Sequence, residues 1–543
     1  MSDADAVVIG AGPNGLVAAN CLADAGWEVE VLEAQPDPGG GVRSADYLGP
    51  GYVADVCSAF YPLAAASPVI GGFDLERYGL RWTHSPAVLA HPLLDGRCAL
   101  LWRDSAATIA GVEELGAGDG EAWRRLQGLW EDVGGQLMEA LFTPFPPLRS
   151  GLKLAGKVRA AGVLRMARFA TLPVRRLLEE EFSGPGSLLI AGCAMHADLA
   201  PEAVGSSLYG WLLAMAGQQH GFPVPEGGAG ALTAALVRRL EHLGGRVRCN
   251  APVHEVLIND RRATGVRLGG GERVGARYAV LADVAAPLLY GGLVAWDDLP
   301  TRLRDDMARF QWDFSTVKVD WALSSPVPWT ARDASLAGTV HLSADLDEMT
   351  EYCAQIAMGR VPSRPFVLVG QMTTADPRRS PPGTESLWAY THVPREVRSD
   401  AGGQGLTGRW DSGELDVFAA RIEDQLERFA PGFRGRIIKR HILGPGQLEE
   451  HNASAVAGAI GGGTAALHQQ LVFRPTPGLG RPETPVAGLY LASSSAHPGG
   501  GVHGACGANA AHAALRQRRA GSRRLIHGGL AATQRFLAGP PSA

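Results

Sequence analysis

The stretch AVVIGAGPNG, residues 6–15, decides the fold of this chain. It is an apolar run that ends in the pattern G-x-G-x-x-G, with glycines at Gly10, Gly12 and Gly15. The first glycine permits a tight turn, the second lets the backbone approach a pyrophosphate, and the third lets a helix pack closely on the strand. The stretch therefore predicts a strand, a glycine turn and a helix whose free N–H groups face the phosphates of a dinucleotide.

The residues that follow complete a βαβ unit. A helical pattern runs from Leu16 to Gly26, and a second apolar run, residues 29–32, ends at Glu33. A carboxylate at this point can accept hydrogen bonds from both hydroxyls of an adenosine ribose, which disfavours a 2′-phosphate. FAD or NAD is therefore expected rather than NADP, with Pro13 and Asn14 of the turn among the binding residues.

A second glycine loop of the same pattern lies near the other end of the chain. The stretch HPGGGVHG, residues 497–504, follows the apolar run 489–492 and precedes an alanine-rich helical segment, residues 508–515. No acidic residue follows it at the required spacing, so a second, separate nicotinamide domain is not expected. His497 and His503 flank the loop and are the weak candidates for catalysis. The alternative is that each histidine only orders the loop by bonding to the backbone.

Composition excludes several classes of function. The chain has 543 residues, enough for two or three domains, and its net charge of −5 gives no reason to expect a nucleic-acid partner. Its seven cysteines form no C-x-x-C pair. This spacing disfavours a disulfide framework, a redox-active pair and a zinc site, so no metal ligands are predicted and a reducing, cytoplasmic location is expected.

The sequence leaves membrane contact open. The first strand begins by residue 6 without a basic leader, so no signal peptide is expected, and no apolar run reaches the roughly 20 residues of a membrane-spanning helix. Residues 152–177, however, carry seven basic residues and no acidic one, interleaved with apolar residues. This segment is either an amphipathic helix that lies in a membrane interface or a solvated helix face over a core. The oligomeric state is not predicted.

Together these motifs resemble one family. Three further motifs belong to the pattern: the glycine pair Gly39-Gly40, the helix opening PEGG at 225–228 and the Val253 strand. With them, the chain resembles the phytoene desaturase-like branch of the FAD-dependent amine oxidase superfamily. That branch includes carotenoid desaturases, retinol saturase-like proteins and a mitochondrial pyridine nucleotide-disulfide oxidoreductase domain protein. The resemblance spans nearly the whole chain, and HPGGGVHG is its most specific part.

The resemblance implies one non-covalently bound FAD and a role for each motif. The N-terminal glycine loop would face the pyrophosphate and Glu33 the adenosine ribose. Gly40 and Arg43 would lie beside the phosphates and the ribityl chain, and Val253 would bind adenine through its backbone. The residues expected near the pyrimidine edge of the flavin are Gly500, Gly501 and Val502.

The resemblance also implies a fold and a division into domains. We expect an α/β protein with a discontinuous, Rossmann-like FAD-binding domain of the glutathione-reductase type and an inserted α+β substrate domain. Strands predicted at 246–249, 253–259, 263–268, 272–276 and 279–282 belong to the first domain. The predicted FAD-binding domain comprises 1–75, 220–310 and 440–515, the substrate domain 76–219 and 311–439, and the C-terminal tail 516–543.

Three functions remain open on this basis. The first is dehydrogenation, saturation or isomerisation of a C–C bond in a small lipophilic, polyene-type substrate by hydride transfer at flavin N5. Residues 141–145 or 211–215 are candidates to line a tunnel for such a substrate, although apolar segments of this kind are more often plain core. The second function is oxidation of amines or amino acids, weakened because Gly41 stands where many amine oxidases carry arginine. The third is a regulatory flavoprotein without turnover.

Overall fold

Two seven-stranded sheets form the framework of the protein. The computed structural model describes residues 3–519, without several side chains between positions 148 and 161; residues 1–2 and 520–543 lie outside it. The strands are β1 (Ala4–Ile9), β2 (Val29–Leu32), β3 (Ser44–Ala45), β4 (Ala54–Asp55), β5 (Trp82–Thr83), β6 (Ala87–Pro92), β7 (Cys98–Leu101), β8 (Val224–Pro225), β9 (Arg246–Arg248), β10 (Val253–Asn259), β11 (Arg262–Leu268), β12 (Arg273–Ala282), β13 (Ser315–Leu323), β14 (Ala337–Leu342), β15 (Arg360–Val361), β16 (Val367–Gln371), β17 (Glu385–Val393), β18 (Ser399–Asp400), β19 (Ile437–Leu443) and β20 (Leu489–Leu491).

The helices surround these sheets. They are α1 (Pro13–Asp24), α2 (Pro62–Ala66), α3 (Pro68–Gly71), α4 (Ser105–Leu115), α5 (Asp119–Phe142), α6 (Leu148–Thr171), α7 (Val174–Glu181), α8 (Leu188–Met195), α9 (Ser206–His220), α10 (Gly230–His242), α11 (Ala286–Leu289), α12 (Thr301–Met307), α13 (Leu346–Ala357), α14 (Met372–Ala375), α15 (Ser412–Phe429), α16 (Pro445–His451) and α17 (Ala505–Arg519). Of the predicted tail 516–543, the first four residues are the end of α17 and the rest lies outside the described residues.

The first sheet brings three chain segments to one edge. Its strand order is β10-β11-β12-β1-β2-β9, and β20 also pairs with β12. In the parallel part, Ile9 lies opposite both Leu32 and Ala282. The residues that follow these three, Gly10, Glu33 and Asp283, therefore lie side by side at the carboxyl edge, where open α/β sheets bind ligands.

Strand β12 corrects one prediction from the sequence. The pattern predicts separate strands at 272–276 and 279–282, but Arg273–Ala282 is one continuous strand. Its first half pairs antiparallel with β11 and its second half parallel with β1 and β20. The strand changes partners without leaving the extended conformation, so the antiparallel strands β10 and β11 and the parallel strands belong to one sheet.

The second sheet has the order β19-β13-β17-β16-β14-β6-β7. Its only parallel pair among the described strands is β14 with β6. One face packs against α15, where Phe418 and Ile422 meet alternate apolar residues of β13 such as Val319. The other face turns toward the part of the molecule built around the first sheet, called the nucleotide-binding half below, and toward α8 and α9.

The predicted α/β fold class is confirmed. The first sheet takes its strands from 4–32, 246–282 and 489–491, so it is assembled from both ends and the middle of the chain. Strand β19 pairs with β13 through Leu443 and therefore crosses the predicted boundary at residue 440. The division into two domains stays a prediction.

Candidate functional site

The N-terminal glycine loop has the geometry that its sequence predicts. Gly10 has φ +91°, a left-handed conformation that glycine adopts without strain. Helix α1 begins at Pro13, whose missing N–H costs nothing at a first helical position. A methyl group on Gly15 would collide with the carbonyl oxygen of Gly10. The third glycine therefore serves the close packing of helix on strand.

Glu33 is buried at the end of β2 and organises the loop. Its Oε2 accepts the N–H of Ala11 at 2.8 Å and its Oε1 accepts the N–H of Gln35 at 2.9 Å. A carboxylate has further lone pairs, so both oxygens can still accept from a ribose. The Glu33 carbonyl accepts the N–H of Ala251, which places Val253, at the start of β10, near the same carboxylate.

The Gly39–Gly40 loop lies on the N-terminal glycine loop. Gly39 donates its N–H to the Ala11 carbonyl, and a methyl group on Gly40 would lie 3.3 Å from the Cα of Gly12. Arg43 donates to the carbonyls of Gly40 and His451 at 3.1 and 2.6 Å. Arg43 therefore holds this loop in place, and its predicted contact with phosphates stays a prediction.

The two glycine loops meet in space. A methyl group on Gly504 would lie 2.7 Å from Val17, and one on Gly507 would collide with the carbonyl oxygen of Asn14. Helices α1 and α17 can approach this closely only because glycines stand at the contact. The terminal loop also touches the segment 461–464, since a methyl on Gly500 would lie 3.0 Å from the Gly461 carbonyl oxygen.

The two candidate histidines have different environments. His503 accepts the Ala505 N–H through Nδ1 at 3.0 Å and so caps the start of α17. His497 donates Nε2–H to the Thr143 carbonyl at 3.1 Å, which leaves its buried Nδ1 without a hydrogen-bond partner among the described residues. Burial lowers the pKa of both imidazoles to about 4, so both are neutral near pH 7. His503 orders the loop, whereas His497 has a free acceptor.

Arg474 binds the segment beside the terminal loop, and no motif in the sequence points to it. The side chain is 1% exposed. Its guanidinium donates to the Ser494 carbonyl at 2.6 Å and to the Gly461 and Thr464 carbonyls at 3.1 and 3.0 Å. Burial lowers the pKa of Arg474 below its ordinary value. The result is a buried cation beside the loop expected at the flavin pyrimidine edge.

The second sheet turns a polar and aromatic face toward the nucleotide-binding half. Every residue of β13 is buried, yet polar and apolar side chains alternate along it. Strand β17 pairs in register with β13, so its side chains extend the same face. The side chains on this face are those of Thr316, Lys318, Asp320, Trp388, Tyr390 and His392. The alternation in residues 315–323 was a usable signal, but it could not show that both faces are covered.

Lys318 and Asp320 form a buried ion pair on this face. Their side chains are 3% and 1% exposed. Tyr47, from the loop after Arg43, donates its hydroxyl to Asp320 Oδ2 at 3.0 Å. Burial raises the pKa of the Asp320 carboxyl despite the Lys318 ammonium. The pair therefore links the second sheet to the loop that follows the glycine pair.

A second buried pair, Asp198 and His392, lies on the same face. Asp198 Oδ1 and His392 Nε2 are 2.6 Å apart, and Asp198 has φ +57°. Burial alone would lower the pKa of His392, but the Asp198 carboxylate raises it above its ordinary value. A non-glycine residue in the left-handed region is strained, and such strain clusters at functional sites.

A groove of about 700 Å³ leads toward the terminal loop along α5. Its walls come from α5, from α9 and from the segment around Ala66 and Pro68. Phe142, at the end of α5, packs against the His503 ring with the centroids 5.3 Å apart. The other predicted tunnel segment is largely core, because Trp211 is fully buried and its indole N–H bonds to the Leu126 carbonyl at 2.9 Å. Met215 lines the groove.

The cleft between the loops fits a dinucleotide. The turns at Gly10, Gly39 and Gly499 are formed by glycines with positive φ, which carry no side chains into the space between the loops. The side-chain Oδ1 of Asn14, at the start of α1, is buried without a hydrogen-bond partner in the described part of the chain. An unsatisfied buried oxygen at this place is a group that a ligand or water would complete.

Known proteins match the chain along most of its length. A family model for NAD(P)-binding Rossmann-like domains matches residues 8–86. The pyridine nucleotide-disulfide oxidoreductase domain-containing protein 2 of Mus musculus is 27% identical over 555 residues, which cover 94% of this chain and 93% of that protein. The phytoene desaturase (lycopene-forming) of Pseudescherichia vulneris is 26% identical over 527 residues, covering 94% and 98%. The chain is therefore an FAD-dependent oxidoreductase that is similar to phytoene desaturases.

Solved structures agree on the fold of the phytoene desaturase-like protein. An oxidoreductase from Methanosarcina mazei superimposes with a TM-score of 0.59 at 16% identity and covers 94% of this chain and 99% of its own. A putrescine oxidase variant superimposes with a TM-score of 0.60 at 18% identity, covering 96% and 99%. Among the described residues, no helix is both long and apolar enough to cross a membrane.

Proposed function

We propose that this phytoene desaturase-like protein dehydrogenates a C–C bond of a small lipophilic, polyene-type substrate, or saturates or isomerises such a bond in the reverse sense. FAD, when bound, supplies the hydride-accepting centre. The residues of the chain would bind the substrate, exclude water and hold a proton. The observation that carries the proposal is the groove along α5, which ends at Phe142, a residue that packs against His503 of the terminal glycine loop.

The groove supports a long apolar substrate. From Gln127 to Phe142 it follows α5 for about 22 Å, at 1.5 Å per helical residue. Its far end carries Gln127 and Glu131, and at its near end Met138 and Phe142 supply apolar surface beside Glu139. Apolar walls beside the reacting end would exclude water and orient an apolar chain. The lining residues are Ala66, Pro68, Arg103, Ser105, Gln127, Trp130, Glu131, Gly134, Gly135, Met138, Glu139, Phe142, Met215, Gln218, Gln219 and His220.

His497, which bonds to Thr143 directly after the groove residue Phe142, is the proposed proton acceptor. Its Nε2–H is held by the Thr143 carbonyl, so the unprotonated Nδ1 is the free nitrogen. The Phe145 ring packs edge-on against it, with the centroids 6.4 Å apart. A neutral, oriented imidazole with an unpaired nitrogen can hold a proton released from the substrate carbon.

A flavin-dependent amine oxidase is the second candidate. The observation that favours it is the stacked pair Trp388 and Tyr390, with centroids 5.7 Å apart and planes 20° apart, beside the cation Lys318. An aromatic pair is the surface that amine oxidases place around the flavin. The glycine at position 41 weighs against this function.

Anaerobic mixing with substrates, followed through the visible absorbance of the flavin, tests these candidates. Bleaching by a polyene or its saturated analogue, and not by amines, is the expected result. Bleaching by an amine alone would replace the proposal with the amine oxidase. A purified protein that holds FAD and is bleached by neither would favour a regulatory flavoprotein, and a protein without FAD would exclude all three.

We also propose peripheral contact with a membrane through α6, which would deliver a lipophilic substrate. Leu152 and Leu164 on this helix are 76% and 77% exposed, and the adjacent Lys153 and Arg165 are exposed as well. Apolar residues next to basic ones suit an anionic lipid surface. The side chains of Lys157 and Arg159, part of the same predicted segment, lie outside the described residues.

Sedimentation with vesicles that contain anionic lipid tests this contact. The double variant Leu152→Glu, Leu164→Glu is expected to lose most of the vesicle binding of the unmodified protein. Leu94→Glu, which changes a leucine that is 52% exposed elsewhere on the surface, is the matched control and should bind as before. Equal binding by all three proteins would exclude α6 as the contact.

A further inference from the structure

Asp283 occupies an unexpected place in the cofactor site. It follows β12 at the carboxyl edge of the first sheet, and its N–H is donated to the Ile9 carbonyl. Its side-chain Oδ2 accepts the N–H of Gly15 at 2.7 Å. A methyl group on Gly12 would lie 2.6 Å from the same oxygen. The carboxyl therefore lies against the second and third glycines of the N-terminal loop, where the pyrophosphate of a dinucleotide is expected.

The described groups that face Asp283 are anionic or neutral, so they would not offset the negative charge of a phosphate beside it. Glu33, from the end of β2, is a further carboxylate that faces it. Helix α17 contributes the Cys506 thiol, whose pKa burial raises to about 12 so that it is neutral. From α1 the contact is the Gly15 N–H. No arginine, lysine or histidine among the described side chains forms an ion pair with Asp283.

Burial raises the pKa of Asp283 to about 7, with Glu33 adding to the increase and the Gly15 N–H opposing it. The free protein is therefore a mixture of protonated and ionised Asp283 near neutral pH. A bound pyrophosphate carries negative charge and disfavours the ionised form further. A protonated carboxyl has the opposite effect, because its O–H can donate a hydrogen bond to a phosphate oxygen.

We propose that Asp283 is a positioning residue that takes up one proton when FAD binds, so that the affinity of this protein for its cofactor falls as the pH rises. In the bound state the neutral carboxyl accepts the Gly15 N–H through one oxygen and donates its proton to the pyrophosphate through the other. The proposal rests on FAD binding alone and not on the reaction or the substrate.

The sign of the pH dependence follows from linkage. Asp283 is more protonated in the FAD complex than in the free protein, so complex formation takes up a proton. Below about pH 7 the free protein already carries this proton, and the dissociation constant is nearly constant. Above that pH the dissociation constant rises, approaching about tenfold per pH unit for one linked proton.

Dilution of the FAD-loaded protein between pH 6 and pH 9, with free FAD measured by its fluorescence, tests the proposal. The unmodified protein should release FAD increasingly above pH 7. Asp283→Asn keeps an acceptor for the Gly15 N–H but cannot ionise, so its dissociation constant should stay nearly constant over the same range. Asp37→Asn, which removes an exposed carboxylate from the loop before Gly39, is the control and should keep the dependence of the unmodified protein.

Titration calorimetry of the stripped protein with FAD in two buffers of different ionisation enthalpy gives the proton count directly. Close to one proton per FAD at pH 8 is expected for the unmodified protein and close to none for Asp283→Asn. Asp283→Ser provides the same test if the asparagine variant does not fold. FAD binding without proton uptake, or uptake unchanged in both variants, would overturn the proposal. Absence of FAD binding would overturn it together with the assigned cofactor.

Discussion

The two seven-stranded sheets contribute to the site with different parts of the chain. The first sheet offers backbone: its carboxyl edge leads into glycine turns that pack closely on neighbouring backbone. The second sheet offers side chains: ionisable and aromatic groups share one of its faces, and Tyr47 connects that face to the loop after Arg43. Main-chain groups can hold a cofactor through its phosphates, because phosphates accept backbone N–H hydrogen bonds whatever the side chains are. Recognition of one particular substrate needs side chains.

If the glycine backbone shapes the cofactor site, adding one methyl group where the two loops meet should have the largest effect on the amount of bound FAD. Gly507→Ala places a methyl against the Asn14 carbonyl, so α17 must move away from α1. We expect loss of most bound FAD and a destabilisation of at least about 1–3 kcal/mol, the cost of overpacking. Flavin absorbance per protein and thermal unfolding measure both effects.

Gly128→Ala is the matched control, since it changes a helical glycine in α5 with open space around its Cα. This variant should retain FAD, and its free energy of unfolding should rise by up to about 1 kcal/mol, because alanine is the better helix former. Equal FAD content in the two variants would mean that the contact of the loops does not shape the cofactor site.

In the second sheet, the buried side chains should be critical for stability. Asp320→Asn leaves the Lys318 ammonium buried without its carboxylate, which typically costs about 3–5 kcal/mol. Since Tyr47 also loses its charged acceptor, packing of the second sheet against the nucleotide half should weaken. Urea unfolding followed by tryptophan fluorescence measures the loss.

The exposed pair Arg97–Asp95 supplies the control for this prediction. Asp95→Asn should leave the unfolding midpoint unchanged, because solvent screens exposed ion pairs. If both variants behave alike, the polar face of the second sheet is a solvated surface rather than a buried one.

A smaller effect on stability is expected from the titration of His497, which connects the terminal glycine loop to the end of α5 through the Thr143 carbonyl. Its pKa is lowered to about 4 from an ordinary 6.5, so between these values the unfolded chain binds more protons than the folded one. Stability contributed by the neutral imidazole is therefore present above pH 6.5 and is lost as the pH falls toward 4. From pH 7 to pH 5 this loss amounts to about 2 kcal/mol.

His497→Gln retains a donor for the Thr143 carbonyl but does not titrate, so its stability should fall less between pH 7 and pH 5 than that of the unmodified protein. Guanidinium unfolding at the two pH values measures the difference. His254→Gln changes an exposed histidine, so the stability of this control should fall between pH 7 and pH 5 as much as that of the unmodified protein. A fall in His497→Gln as large as that of the unmodified protein would show that this imidazole does not remain neutral in the fold.

The sequence predicted the site residues at the edge of the first sheet better than those on the face of the second sheet. Gly10, Gly12, Gly15 and Glu33 lie within one local pattern, and the physical reasons for those residue types are local too: a positive φ, a close approach and a helix N-terminus. The split of β12 into two strands was wrong because the sequence shows a period but not a change of partner strand. The role of each predicted site residue toward FAD stays a prediction.

What the sequence by itself determined is a strand–glycine turn–helix that holds a dinucleotide, since that function is carried by backbone geometry which a few neighbouring residues enforce. Only the tertiary structure decided which residues complete the site. Asp283 reaches Gly15 from 268 positions away, and Arg474 and the Lys318–Asp320 pair gain their roles from burial by distant segments. Ionisable side chains look alike in a sequence whether they end in solvent or in a cleft. The fold alone removes water from some of them, and that desolvation is what gives a carboxyl such as Asp283 its altered chemistry.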